Sequence, residues 1–308
     1  MLEIGGTHVT AALVDTGRAA VLQDSVRHAA LDPGAPAEEI LGAVLACARE
    51  VAAPPGATWG AAVPGPFDYA RGVARFSGVG KFDALAGTDL GRALTAGLPG
   101  AGAHFRFLND AHAFTLGEWA VGAGRGHGRV VGLTLGTGVG SAFLADGALA
   151  DEGPGVPHEG HVHLLTIDGR PLEETVSRRA LLRRYAAETG HSPDDGVDVR
   201  DLAERARAGE AVAGRVLHRA FHALGAALAP WLSAFGAEAV IVGGSVARAW
   251  DLVRPAVDAG ITQAGPRTDI VLRRAERLVA APLLGAALHV RQVGAAPRAD
   301  VRRGGEDT

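Results

Sequence analysis

The sequence predicts an α/β protein built as two domains that face each other across a cleft, and three observations predict it. The chain has 308 residues, more than one typical domain needs. Two segments, LEIGGTHVTAALVDTG at the start and GLTLGTGVGSAFLADG at 132–147, share one grammar: apolar strand, glycine turn, apolar strand, then a turn carrying Asp and Gly. Between and after them, short strand-like runs alternate with longer segments of helical periodicity. Each unit reads as the start of a βββα-type domain, and glycine turns facing each other suit a nucleotide held between domains.

Taken in order, LEIGGT is a strand and a glycine turn, and HVTAALVD is a second strand ending at DTGR. Residues 37–52 carry apolar side chains at helical spacing, closed off by Pro54-Pro55-Gly56. TWGAAV is a strand running into a Pro-Gly-Pro turn. HFRFLN, 104–109, is another, and the helix AHAFTLGEWAVG follows Asp110 directly. A helical region spans about 172–233, with a polar break, HSPDDGVD, near residue 194. AEAVIVGGSVARAW reads as a buried strand, a glycine turn and a helix start. The last helix covers about 281–292, and the polar tail GAAPRADVRRGGEDT is expected to be disordered.

Composition narrows the function classes. Hydrophobic residues make up 47% and charged residues 21%, as in ordinary folded chains. A net charge of −4 offers no general attraction to nucleic acid, and Arg302-Arg303 are too few for a basic arm. The single cysteine, Cys47, excludes an internal disulfide and a multi-cysteine zinc site. No apolar run approaches membrane-spanning length, and no basic-then-apolar leader opens the chain. A cytoplasmic protein is expected. Glycine is abundant at 44 residues, so glycines inform only where they cluster beside strands.

Three such clusters stand out: GGTHV at 5–9, LGTGVGS at 135–141 and VGGSV at 242–246. A glycine turn lets backbone N–H groups approach phosphate oxygens, although glycines in turns are mostly structural. None fits the P-loop pattern. The first two lead into strands rather than helices, against a dinucleotide-binding fingerprint. Asp110, between a strand end and a helix start, has two readings: helix cap, or the group that orients an attacking hydroxyl and takes its proton.

From residue 2 to about 290 the sequence resembles the ROK family (repressor, open reading frame, kinase) of bacterial sugar kinases. IGGTHVTAALVD resembles the family's first phosphate loop and LTLGTGVGSAFLADG its second. AVIVGGSVARA resembles the adenosine loop, VPGPFD the Pro-Gly-Pro turn beside the sugar, and LNDAHAF the segment with the catalytic aspartate. The resemblance implies a two-domain, actin-like (ribonuclease H-like) ATPase fold with an interdomain cleft. The implied small domain is 1–115 plus a C-terminal helix at about 281–295, the larger domain 116–280, and the tail 296–308. It implies phosphorylation of a hexose by ATP with Mg2+, glucose at its 6-hydroxyl foremost. The alternatives are an amino sugar or other hexose (kanosamine, N-acetylglucosamine, N-acetylmannosamine, fructose), or an inactive sugar-binding relative.

By the same resemblance Asp110 is the base, and Gly65, Asn109, Asp110, Glu159, His161 and Glu173 bind the sugar. Gly5, Gly6, Thr7, Gly136, Thr137, Gly138, Gly243 and Gly244 bind ATP, and Glu3 contacts magnesium indirectly. A homodimer through the larger domain is also implied. The family's DNA-binding regulators carry a helix-turn-helix domain before the first loop. Here that loop begins at residue 3 of an acidic chain, which favours the enzyme.

Three departures qualify the resemblance. Glu3 stands where the family has aspartate. TIDGRPLEETVSRRAL replaces the segment with the family's cysteine cluster, so Glu159-Gly160-His161 lacks thiolate partners and zinc is not expected. After the Pro-Gly-Pro turn, Lys81, Phe82 and Asp83 stand near the place of a sugar-binding asparagine. They are read either as a surface turn packed by Phe82 or as a pocket wall that alters substrate choice.

Overall fold

The computed structural model describes residues 1–98, 103–190, 196–265 and 269–295. Residues 191–195 of the expected polar break, and the tail from 296, lie outside this set. Strands β1 (Leu2–Ile4) and β2 (His8–Ala11) form an antiparallel hairpin around Gly5-Gly6-Thr7. HVTAALVD is not one strand. It breaks after Ala11 into β3 (Val14–Asp15), which pairs with β4 (Ala20–Val21) across a turn where Asp15 accepts the N–H groups of Gly17 and Arg18. Strand β5 (Arg27–Ala30) pairs with β2. Helix α1 (Ala37–Arg49) follows, with Glu38 and Glu39 in its first turn and Arg49 in its last, as the helix dipole favours. It ends before the prolines. Then come β6 (Thr58–Val63), the small hairpin β7 (Phe67–Asp68) and β8 (Val73–Ala74), α2 (Leu90–Gly97), β9 (His104–Asn109) and α3 (Asp110–Val121).

The second unit begins with β10 (Arg129–Leu135), β11 (Val139–Ala145) and β12 (Ala148–Leu149). A hairpin of β13 (Thr166–Ile167) and β14 (Arg170–Pro171) leads to α4 (Glu173–Val176), α5 (Arg178–Thr189), α6 (Val199–Arg207) and α7 (Ala211–Phe235). The chain continues through β15 (Ala239–Gly243), α8 (Trp250–Ala264), β16 (Val271–Arg274) and α9 (Ala281–Ala295).

The internal repeat read from the glycine turns is a repeat of topology. One sheet has the order β5-β2-β1-β6-β9 and the other β12-β11-β10-β15-β16. In each, the first three strands are antiparallel and the last two join in parallel. The parallel strand β15, all five residues buried, is an uninterrupted AVIVG, as burial on both faces requires. One apolar core lies within residues 2–107 and a second within 131–272. A third joins them through Ala62, Phe114, Leu116, Leu144, Ile241 and Ala286. In the second core α7 contributes Phe221, Leu224, Leu228 and Leu232, each fully buried. Removing such a side chain from water is worth roughly 1.5–3 kcal/mol.

Helix α3 lies at the centre of this arrangement, buried along most of its length and packed against strands of both sheets. It packs directly on α9. A Cβ on Gly117 would overlap the Ala281 carbonyl, and one on Gly285 would overlap the Ala113 carbonyl, so the two glycines permit the close crossing. Glu118 locks the contact. Its fully buried carboxylate accepts N–H groups from Ala123 (2.8 Å), Glu276 (3.1 Å) and Arg277 (2.6 Å). Among the described residues no helix is long and apolar enough to cross a membrane.

Candidate active site

In open sheets of this type, ligand sites gather at the carboxyl ends of parallel strands. Here β6 and β9 run in parallel with Val63 opposite Asn109, so the Pro-Gly-Pro turn and Asp110 emerge side by side. In the other sheet Thr134 of β10 lies opposite Gly243 of β15, which brings the second and third glycine loops together in the same way.

The two readings of Asp110 separate cleanly. The cap of α3 is Asn109, whose Oδ1 accepts the N–H groups of Ala111 (2.9 Å) and His112 (3.3 Å). Asp110 is the first helical residue, and its carboxylate accepts the Ala111 N–H at 2.9 Å. Although Asp110 is only partly buried as a residue, its carboxylate is deep enough that lost hydration is the main influence on it and pushes its pKa up. The Lys81 ammonium opposes that rise, and the Glu3 carboxylate adds to it.

The amide of Asn109 is also tied down. Its Nδ2 donates to the Tyr69 hydroxyl at 3.0 Å, and that hydroxyl donates to the Val63 carbonyl at 3.2 Å. One amide hydrogen of Asn109 is left for a ligand. Gly65 lies against this pair: a Cβ there would stand 3.6 Å from the Tyr69 oxygen and 3.9 Å from Asn109 Nδ2. Tyr69 was absent from the sequence-derived residues. Its only signal was a polar aromatic just after the Pro-Gly-Pro turn. Burial pushes its phenol pKa up.

Of the residues expected to bind ATP, Gly6, Thr7 and Thr137 are exposed at their loop tips, and nothing would meet a Cβ on Gly6 within 4 Å. Gly136 faces the Ser245 hydroxyl, 3.7 Å from a notional Cβ. Gly244, at φ +83°, brings its backbone against the Leu135 carbonyl, and Gly243 lies under the Phe114 ring. The second and third loops therefore adjoin. Ala111, next to Asp110, would be 2.9 Å from a Cβ on Gly140. The start of α3 thus stands beside the second loop and within electrostatic reach of Glu3 on β1.

Glu3 sits beside His8, 3.8 Å from its Nε2, and draws the imidazole pKa up while partial burial pulls it down. Glu173 accepts the Val139 N–H at 3.1 Å, so in this structure it buttresses the second glycine loop. Arg178 donates its backbone N–H to the Gly136 carbonyl from the same side. Glu159 is largely exposed in a left-handed conformation (φ 52°), 3.5 Å from His161 Nδ1. The His161 ring lies 5.0 Å from that of His163.

Asp83 turns away from a pocket role. Its carboxylate accepts the N–H groups of Val79 (3.0 Å) and Gly80 (3.2 Å) on an exposed turn.

The residues present do not fit a zinc ion. Cys47 is buried in the first core, its Sγ directed at the Val9 carbonyl. Among the described residues no three His, Cys, Asp or Glu side chains stand together as a metal set. The Glu159–His163 segment is braced instead by Ser141 of β11. This buried hydroxyl donates to the Gly160 carbonyl and accepts the Val162 N–H at 3.0 Å.

Known proteins share this fold. The chain is 34% identical over 164 residues to a glucokinase of Thermotoga maritima, covering 47% of this chain and 51% of that protein. It is 33% identical over 186 residues to a bifunctional NanE/NanK enzyme of Brucella melitensis, covering 59% and 34%. The chain thus spans about half the length, or less, of these curated relatives. Among solved structures, a ROK family glucokinase from Streptomyces griseus in complex with glucose and AMPPNP superposes with a TM-score of 0.71 at 29% identity. That match covers 94% of this chain and 98% of that one. The sequence profile of the ROK family matches residues 1–293, and the chain belongs to the ROK family.

Proposed function

We propose that this chain is an ATP-dependent sugar kinase, acting on a hexose and foremost on the 6-hydroxyl of glucose. The observation that carries the reading is Asp110: a desolvated carboxylate relieved of helix capping by Asn109, at the meeting point of the strand ends. Glucokinases from Thermotoga maritima and Streptomyces griseus among the relatives support the choice of sugar. An amino sugar is the second reading, one that membership of the ROK family leaves open.

In the proposed mechanism the two glycine loops, with Gly5, Gly6 and Thr7 in one and Gly136, Thr137 and Gly138 in the other, receive the phosphates, and Gly6, Thr7 and Thr137 are exposed for it. Gly243 and Gly244 border the adenosine. ATP would enter with Mg2+, which would supply neutralisation of phosphate charge, and Glu3 would hold the ion through water. Asn109, His161 and the backbone at Gly65 would orient the sugar, with Glu159 and Glu173 as further contacts. As the hydroxyl oxygen bonds to the γ-phosphorus, the bond to the β-bridging oxygen breaks, and Asp110 takes the hydroxyl proton.

The proposed division is residues 1–115 with the 281–295 helix as the small domain and 116–280 as the larger one. The confinement of the two main cores to 2–107 and 131–272 supports it. Closure of the cleft between them would exclude water from the transfer. Dimerisation through the larger domain is part of the same proposal. A coupled ADP-release assay with ATP across glucose, mannose, fructose and amino sugars, and direct detection of sugar phosphate with polyphosphate as donor, test the reading. ADP release that ignores the sugar, or no turnover with any pair, would sink it.

A further inference from the structure

The second glycine loop is held at three backbone points. The Gly136 N–H donates to the Gly138 carbonyl at 3.0 Å, and the Gly136 carbonyl accepts the Arg178 N–H at 2.9 Å. The third point is the Val139 N–H, which donates to Oε2 of Glu173 at 3.1 Å. Between these points the N–H groups of Thr137 and Gly138 make no hydrogen bond among the described residues, and Thr137 is exposed. Two consecutive free donors at a glycine turn are the kind of feature that receives an anion.

Glu173 reaches the loop from a fixed backbone. Leu172, fully buried, donates its N–H to the Leu165 carbonyl at 2.6 Å, and the Ser177 N–H donates to the Glu173 carbonyl at 3.1 Å. Ser177 in turn caps α5 through the Ala180 N–H at 3.3 Å. The loop leaves room for the carboxylate, since a Cβ on Gly138 would stand only 3.0 Å from Oε2. The second oxygen, Oε1, makes no hydrogen bond among the described residues, so it stays open to the sugar contact proposed above.

We propose that Glu173 is a positioning residue of the donor side: by holding the Val139 N–H it fixes the tip of the second glycine loop in the shape that receives a phosphate. This deepens the kinase reading and rests on it. A negative charge beside a phosphate site is unfavourable in itself. What the loop gains from Glu173 is therefore the acceptor atom, not the charge. The two can be separated, because a glutamine offers the same acceptor without the charge.

The test is the affinity for AMPPNP with Mg2+, measured by calorimetry without sugar, so that a role confined to the sugar leaves it unchanged. Glu173→Ala should raise Kd about tenfold, as loss of one charge-assisted hydrogen bond allows. Glu173→Asp keeps the charge but is one methylene shorter; it should weaken binding in the same direction, and it carries the test if the alanine variant does not fold. Glu173→Gln should bind the nucleotide at least as tightly as the wild type. Unchanged affinity in a folded Ala or Asp variant overturns the proposal, and so does a Gln variant weakened as much as Ala. If the wild type binds no nucleotide, the kinase reading itself fails and this role falls with it, so the two failures are told apart.

Discussion

Asn109 caps the helix that Asp110 begins, and this division of labour between adjacent residues spares the Asp110 carboxylate the work of the cap. A side chain that must satisfy the first N–H groups of a helix is held against the backbone, whereas Asp110 needs only the Ala111 N–H. Replacing Asn109 with alanine should therefore act twice. Loss of the cap should cost about 1 kcal/mol, and the Tyr69 hydroxyl should lose its donor. Urea unfolding and the KM for sugar should both register the change, with KM for ATP little affected.

Glu118 is the second anchor of the same helix. Three backbone N–H groups depend on its buried carboxylate, and each one orphaned costs about 1–3 kcal/mol. Glu118→Ala should destabilise the protein by several kcal/mol in denaturant unfolding. Glu118→Gln should also destabilise it, because one end of the amide would turn a donor toward a donor.

Ser141 should be felt at the sugar rather than the nucleotide. Its hydroxyl joins β11 to the Gly160 carbonyl and the Val162 N–H, fixing the segment that carries Glu159 and His161. Ser141→Ala should raise KM for the sugar several-fold in steady-state assays and leave KM for ATP nearly unchanged.

Acid should loosen the fold before the carboxylates titrate. Burial holds the His112 imidazole down to about 4, against about 6.5 in an unfolded chain. Above about 6.5 both states are neutral. As pH falls from there toward 4, the unfolded chain gains a proton that the folded one refuses, so stability drops. His163 and His289, also lowered by burial, act in the same direction. His8 is raised by Glu3 and works the other way, stabilising below its unfolded pKa and losing that effect as pH rises through its folded value. Its half-exposed side chain keeps the contribution small. Tm measured from pH 7 to 4.5 should fall, and His112→Gln should flatten the slope.

Much of this was legible in the sequence where local pattern decides structure. Strand β9 has the predicted bounds, because HFRFLN is closed by a helix cap, and the three glycine loops lie where their flanking strands put them. Edge strands β5 and β16 were not singled out. Both are short and partly exposed, so no apolar alternation marks them. The braces of the site were invisible for another reason. Glu118 meets Glu276 and Arg277 across the whole second unit, and Ser141 looks like the end of a glycine loop until Gly160 folds onto it. Asp83, a plausible pocket acid in sequence, spends its carboxylate on its own turn.

The most direct measurement is sugar-dependent ADP release by the wild type and Asp110→Asn, with glucose affinity determined alongside by calorimetry. The variant should lose about 10²- to 10⁴-fold in kcat, bind glucose nearly as before, and melt at a higher temperature because a desolvated charge is gone. An Asp110→Asn protein that keeps most of its turnover would contradict the assignment of Asp110 as the base.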